Sequence, residues 1–400
     1  MQHAQDIRKA DEHRGTRRER RSKLDRTHVG RFVDDCFGED LHAKRVLSLS
    51  NGVVGVMRAA RLSIHTIGQA YAELADIRPK NGVKQVNRFL ANNRIRPTEL
   101  LPAWATFVIG PREEVVVALD WTEFDGDDHA TLAAYVVTRH GRATPLAWTT
   151  VKKSTLAGQR NEHEYTLIER LQQAIPESVG VTLLADRGFG DQKLYALLES
   201  YGWDYVIRFR GSILVEHRGQ RLAAEQWLPP SGRATMLRDV RVTRERAPVP
   251  AVVVARSPRM KEAWYLATSQ SKRRAAEIVK LYGKRFTIEE TFRDQKDLRF
   301  GMGLRATHIR SAARRDRLLL LAAVAQALLT LLGAASEAVG FDRDLKVNTV
   351  KHRTHSLYRQ GQYWYGAIPW MRDERLRILM TAFDDIVRQH RVLDQLYAVL

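Results

Sequence analysis

Residues 114–120 read EVVVALD and residues 181–186 read VTLLAD. Each is a short β-branched, apolar run that closes on a carboxylate, which is the pattern of a buried strand delivering an acid to a sheet edge. Between them, residues 131–138 (TLAAYVVT) and 143–151 (ATPLAWTTV) read as two further strands, turned at His140–Gly141, and residues 164–175 read as a helix. After VTLLAD come a helix over 191–201 and a fifth strand over 205–209 (YVIRF). Three strands, a helix, a strand, a helix and a strand predict a mixed α/β sheet with flanking helices.

The acids of the two deciding runs, Asp120 and Asp186, are candidates for metal ligation, and a third acid, Glu289, falls in a helical stretch. Hard carboxylate oxygens select Mg2+ or Mn2+ over zinc, and two such ions about 4 Å apart serve phosphoryl transfer. The competing reading is that each aspartate caps the helix after its strand. Asp125, Asp127 and Asp128 in the DGDDH stretch add further acids, expected in a solvated hairpin. Residues 282–296 read YGKRFTIEETFRDQK, with two, three and six residues between Tyr282, Arg285, Glu289 and Lys296. Steps of three, four and seven put all four on one face of a helix, so a carboxylate, two cations and a phenol share a stripe that suits phosphates beside a metal centre. A plain surface helix with an Arg285–Glu289 i,i+4 pair has the same look in this part.

The spacing Y-(2)-R-(3)-E-(6)-K resembles the signature of the IS4-type, Tn5-like DDE transposases of bacterial insertion sequences. The stretches VALDWTE (117–123) and LADRG (184–188) are similar to the segments that carry that family's two catalytic aspartates. The likeness covers roughly residues 110–335. It implies an RNase H-like catalytic fold with a β-rich insertion, in which Asp120, Asp186 and Glu289 hold two Mg2+ ions, with Mn2+ as a substitute. Tyr282, Arg285 and Lys296 are implied to contact DNA. Trp264, in WYLAT (264–268), matches a family tryptophan that stacks on a flipped base; an ordinary core tryptophan on a strand fits as well. The implied reaction is cleavage at transposon ends, releasing a 3′-hydroxyl that then attacks target DNA, performed by a homodimer holding two double-stranded ends in a synaptic complex. Two alternatives stay open: an RNase H-like metal-dependent nuclease that does not join strands, and a non-catalytic DNA-binding relative.

Composition agrees with a polyanionic partner. The 400 residues carry 65 Lys and Arg against 46 Asp and Glu, a formal charge of +19, and neutralised phosphates release counterions that drive binding. One cysteine, Cys36, excludes an internal disulfide and a cysteine-rich zinc site. No GxxxxGK[ST] loop is present, and His163–Glu164 begins an HExxH-like string that lacks its second histidine. The basic N-terminus has no apolar run after it, so a signal peptide is not expected. The run LLLLAAVAQALLTLL (318–332) is shorter than a typical span and reads as a core helix, consistent with no membrane and a cytoplasmic, nucleoid-associated protein.

Three regions are expected. Residues 1–110 form a helical, basic DNA-end-binding region that includes Arg17, Arg18, Arg20 and Arg21. Within it RPKNG (78–82) reads as a turn and residues 83–91 as a candidate DNA-reading helix. Residues 111–335 form the catalytic domain, with the β-rich insertion at about 211–270. Residues 336–400 are helical. There Leu376, Ile378, Leu379, Phe383, Ile386 and Val387 make an apolar stripe for dimerisation or plain core.

Overall fold

In the computed structural model, which describes residues 26–392 apart from 259 and 300, all strands join one ten-stranded sheet. β1 (Glu114–Phe124), β2 (His129–Val136) and β3 (Thr144–Lys152) form an antiparallel meander. β4 (Gly180–Ala185) and β5 (Asp204–Arg208) follow, each parallel to its inner neighbour because a helix crosses over between them. The order is β3-β2-β1-β4-β5-β10-β9-β8-β6-β7. The central strands are buried on both faces, as their near-continuous apolar runs require.

The β-rich insertion is not a separate module but extends this sheet. β6 (Leu214–His217), β7 (Gln220–Ala223), β8 (Thr235–Val242) and β9 (Ala247–Ala255) lead to β10 (Trp264–Thr268), which returns to pair antiparallel with β5. β6 and β7 escape the sequence reading because LVEH and QRLA lack an apolar alternation. Their two-residue turn, Arg218–Gly219, has φ of 49° and 80°, the positive values that a tight hairpin demands.

Two further expectations are corrected. β1 does not end at Asp120; it runs to Phe124 because β2 supplies an antiparallel partner all the way, from Asp120↔Ala133 to Phe124↔His129. What ends at that point is the parallel ladder with β4, whose last pair is Leu119↔Ala185. RPKNG is not a turn either. Among the N-terminal helices α1 (Arg26–Phe37), α2 (Ala43–Ala59), α3 (Ile64–Ala75), α4 (Pro79–Ala91) and α5 (Leu101–Ile109), the proline opens α4. Its fixed φ and missing N–H suit the first helical turn. The actual connection is Asp76–Arg78, with Asp76 left-handed at φ 55°. Gly82 sits inside α4 because a Cβ there would strike the backbone oxygen of Gly68 on α3.

The remaining helices are α6 (Arg160–Ala174), α7 (Gln192–Ser200), α8 (Ala275–Gly283), α9 (Phe286–Lys296), α10 (Ala312–Ala338), α11 (Leu357–Ala367) and α12 (Asp373–Val392). At 27 residues α10 outgrows the expected 318–332, and its length and apolarity would suffice to cross a membrane. It is instead core: 94% of its most apolar window is buried inside the fold, against α2, α4, α11, α12 and β3. The C-terminal stripe is largely core as well, with Leu376, Leu379 and Phe383 buried, Ile386 and Val387 partly so, and Ile378 facing out.

Candidate active site

The register of the parallel ladder sets the first two acids side by side. Leu119 pairs with Ala185, so Asp120 and Asp186 are the next residues on neighbouring strands, about 4.8 Å apart in the hydrogen-bonding direction. β4 stops there because Asp186 turns the chain, its Oδ1 accepting from the Gly188 N–H at 2.8 Å to cap a one-turn helix. The capping reading of Asp186 is therefore true of its backbone role. It leaves the other carboxylate oxygen for a second task.

Glu289 arrives from α9. The signature does not lie on one continuous helix, as its spacing suggests. α8 ends at Gly283 and α9 begins at Phe286, and between them the backbone tightens to i→i+3 bonds, Lys284 N–H to Leu281 O (3.1 Å) and Arg285 N–H to Tyr282 O (2.9 Å). This junction turns Arg285 under the sheet edge. Its guanidinium donates to Asp120 Oδ2 at 3.0 Å and to Glu289 Oε1 at 2.7 Å. Two turns on, Lys296 Nζ donates to Thr122 Oγ1 at 2.6 Å. Arg285 and Lys296 thus both meet β1, and Glu289 is tied to it through Arg285. Tyr282 is buried in an apolar cluster, 1% exposed, with its ring edge-on to Trp264 at 4.9 Å and the Arg285 guanidinium over the ring at 5.9 Å.

Electrostatics bind the acids together. Burial pushes the Asp120 carboxyl up to about 6, opposed by Arg285 and reinforced by the charge of Asp186. Arg285 is itself buried, with a side chain 7% exposed, whereas the Glu289 side chain is 50% exposed. Among the described residues no group of three His, Cys, Asp or Glu side chains stands close enough to hold a metal ion. Asp120 and Glu289 converge on a guanidinium rather than on one another. The donor set nevertheless fits a hard divalent cation: it is all oxygen, and Asp120 and Glu289 already share one cationic group. Before the acids opens a cleft of about 590 Å3, lined by Asp120 and Glu289 and by Arg293, Lys296 and Arg305, while Asp186 is not part of its wall.

Other expectations resolve around this centre. The DGDDH acids are not uniformly solvated. Asp125 is exposed, but Asp127 is buried against the fully buried Arg315 and accepts from the Ile309 N–H, while Asp128 accepts from Ser154. These bonds occupy them structurally. Trp264 stands on β10, partly buried, between Tyr282 and Phe286, the latter 41% exposed. Arg17, Arg18, Arg20 and Arg21 lie outside the described residues. Glu164 on α6, which the sequence offers only within an incomplete HExxH-like string, joins this neighbourhood. It is 1% exposed, accepts from the Trp121 indole N–H at 2.7 Å and is raised to about 7 by burial, with the charges of Asp191 and Asp186 adding to the rise. Nothing in the local pattern marks it, because its partner is 43 residues away in sequence.

An antiparallel meander, two parallel strands, and acids where the parallel ladder between the first and fourth strands ends define the class: an RNase H-like α/β fold of the kind used by nucleic-acid-handling enzymes. The chain matches the family model described as the transposase DDE domain over residues 111–328. It belongs to that family, whose members are transposases that bind DNA and generally use divalent metal ions. The comparison with curated proteins gave no match.

Proposed function

We propose that this chain is an IS4-type, Tn5-like transposase of a bacterial insertion sequence, acting in the cytoplasm on nucleoid DNA, which cuts at transposon ends and joins the 3′-hydroxyls to target DNA. The observation that carries the reading is the meeting of Asp120 and Glu289 on Arg285, with Asp186 next in register to Asp120. Asp120, Asp186 and Glu289 are the catalytic acids and would hold two Mg2+ ions, with Mn2+ substituting. Bound there, the ions supply activation of the attacking oxygen and charge stabilisation at the leaving one. The chain's own task is to fix the acids on a rigid sheet and to line the cleft with Arg293, Lys296 and Arg305, cations that hold phosphates beside them. Tyr282 and Trp264 act together, the phenol supporting an indole that stacks on an unpaired base at the rim.

In this reading residues 1–110 grip the terminal repeats, with Arg17, Arg18, Arg20 and Arg21 adding phosphate contacts. α4 reads the DNA. Its exposed polar side chains are Lys80, Asn81, Lys84, Asn87 and Arg88, and the helix carries no acid. It follows α3 through a three-residue turn, the geometry of a helix-turn-helix pair. Residues 336–400 support pairing of two copies on two ends.

The test is Asp120→Ala, Asp186→Ala and Glu289→Ala, each assayed for end cleavage and for end binding. Loss of cleavage by at least about a thousandfold with binding retained is expected, and an active Asp186→Ala enzyme would end the assignment. A pre-cut end offered with target plasmid then separates a joining enzyme from a nuclease that only cuts.

A further inference from the structure

The bonds of Arg285 join two carboxylates that the proposed reaction needs for metal. Its guanidinium donates to Asp120 at 3.0 Å and to Glu289 at 2.7 Å, and it feels the charge of Asp186 as well. Its own N–H at Nε is buried without an acceptor, so this resting place leaves a charged donor unsatisfied. A buried donor without a partner is costly. The rest of the guanidinium lies over the rings of Tyr282 and Phe286, at 5.9 and 5.3 Å. A divalent ion on the same oxygens would stand beside the guanidinium, and the repulsion between these two like charges opposes its binding.

We propose that Arg285 is a resident counter-cation of the free protein. It keeps Asp120 and Glu289 from repelling one another, holds them near their working positions, and has to release them before metal can load. The proposal rests on the reading of these acids as metal ligands and adds a role for this arginine toward the ions. A phosphate entering the cleft, which Arg293, Lys296 and Arg305 line, is the acceptor that draws the guanidinium away, so loading of metal follows arrival of DNA.

The experiment measures Mn2+ binding to the full chain without DNA, by electron paramagnetic resonance titration, for the wild type, Arg285→Gln and Arg285→Ala. Circular dichroism melts accompany it to show that each variant is folded. Removing the competitor is expected to tighten Mn2+ binding by about tenfold and to enlarge the rise in melting temperature that Mn2+ produces. Binding in both folded variants that is no tighter than about threefold over wild type, or weaker, overturns the proposal. Should Arg285→Ala fail to fold, Arg285→Gln, which keeps part of the stem and an uncharged amide donor, decides alone. A double variant, Asp120→Ala with Arg285→Gln, separates the two layers. If it binds Mn2+ as tightly as Arg285→Gln alone, the acids are not the ligands and the underlying reading fails; if it loses the ion while Arg285→Gln shows no gain, only the role of Arg285 is lost.

Discussion

At the scale of single residues the site is a balance of buried charges, and Glu164 gives the sharpest handle on it. Its carboxyl is lifted from the ordinary glutamate range to about 7 by burial, while the Trp121 indole bond opposes the rise. Between pH 4.5 and 7 the folded chain keeps a proton that the unfolded chain has released. Stability from this group is therefore full below about pH 4.5 and falls as pH climbs through 7. Glu164→Gln cannot ionise and keeps an oxygen for the indole. Relative to the wild type, its melting temperature should improve by about 1–4 °C between pH 5 and pH 8. An offset that stays the same at both pH values would show that Glu164 is not held protonated. Glu164→Ala, which removes the acceptor and leaves the indole N–H buried, should cost about 1–3 kcal/mol at either pH. Neither effect was legible in the sequence. Asp120 and Asp186 announce themselves because each closes an apolar run, whereas Glu164 lies on a helix whose mean pattern says only that one face is buried.

At the scale of elements, apolar periodicity located the strands from 114 to 209 and the core helix, because burial on both faces leaves uninterrupted apolar runs. It failed where a tertiary partner overrules local pattern. β1 continues through Asp120 and Glu123 because β2 pairs with it there, and the signature helix breaks at 284–285 although its spacing reads as unbroken. The tightest contact was equally silent. α10 and α11 cross where Gly333 faces Gly361, and a Cβ on either would fall inside the contact distance of a carbonyl oxygen, of Leu357 or Leu329 respectively. Gly361→Ala should therefore drive the helices apart at a cost of about 3 kcal/mol or more. Gly366, on the same helix, has open space where a Cβ would stand, with nothing within 4 Å. Gly366→Ala should be neutral or stabilising by up to about 1 kcal/mol. Chemical denaturation of the two variants side by side checks the crossing, and equal stabilities would refute it.

At the scale of the whole molecule, α10 joins the proposed DNA-reading helix to the catalytic sheet. Arg317, 3% exposed near its start, donates to the carbonyls of Leu90 at 2.7 Å and Ile95 at 3.2 Å, which lie at and just beyond the end of α4. Two residues earlier Arg315 is bonded to Asp127 and His129 beside the tip of β1. The proposed reader and the tip of β1 are thereby held from within one turn of a single buried helix, so a DNA end seated on α4 would have a fixed register to the sheet. If α4 lies on DNA, its cations release counterions on binding. The formal charge of +19 means that many other contacts do so too, and the affinity of the wild type should fall steeply as salt rises. Replacing Lys84 and Arg88, both exposed on α4, by alanine should reduce the slope of log affinity against log salt concentration by about two. Cleavage at saturating DNA should be little changed, since neither side chain approaches the acids. Arg317→Met differs in kind: it removes no exposed charge, so the slope should hold, but the tie between reader and sheet is lost and cleavage of bound ends should drop. A titration series from low to physiological salt, paired with single-turnover cleavage, distinguishes the two variants. An unchanged slope in the Lys84, Arg88 pair would remove α4 from the DNA.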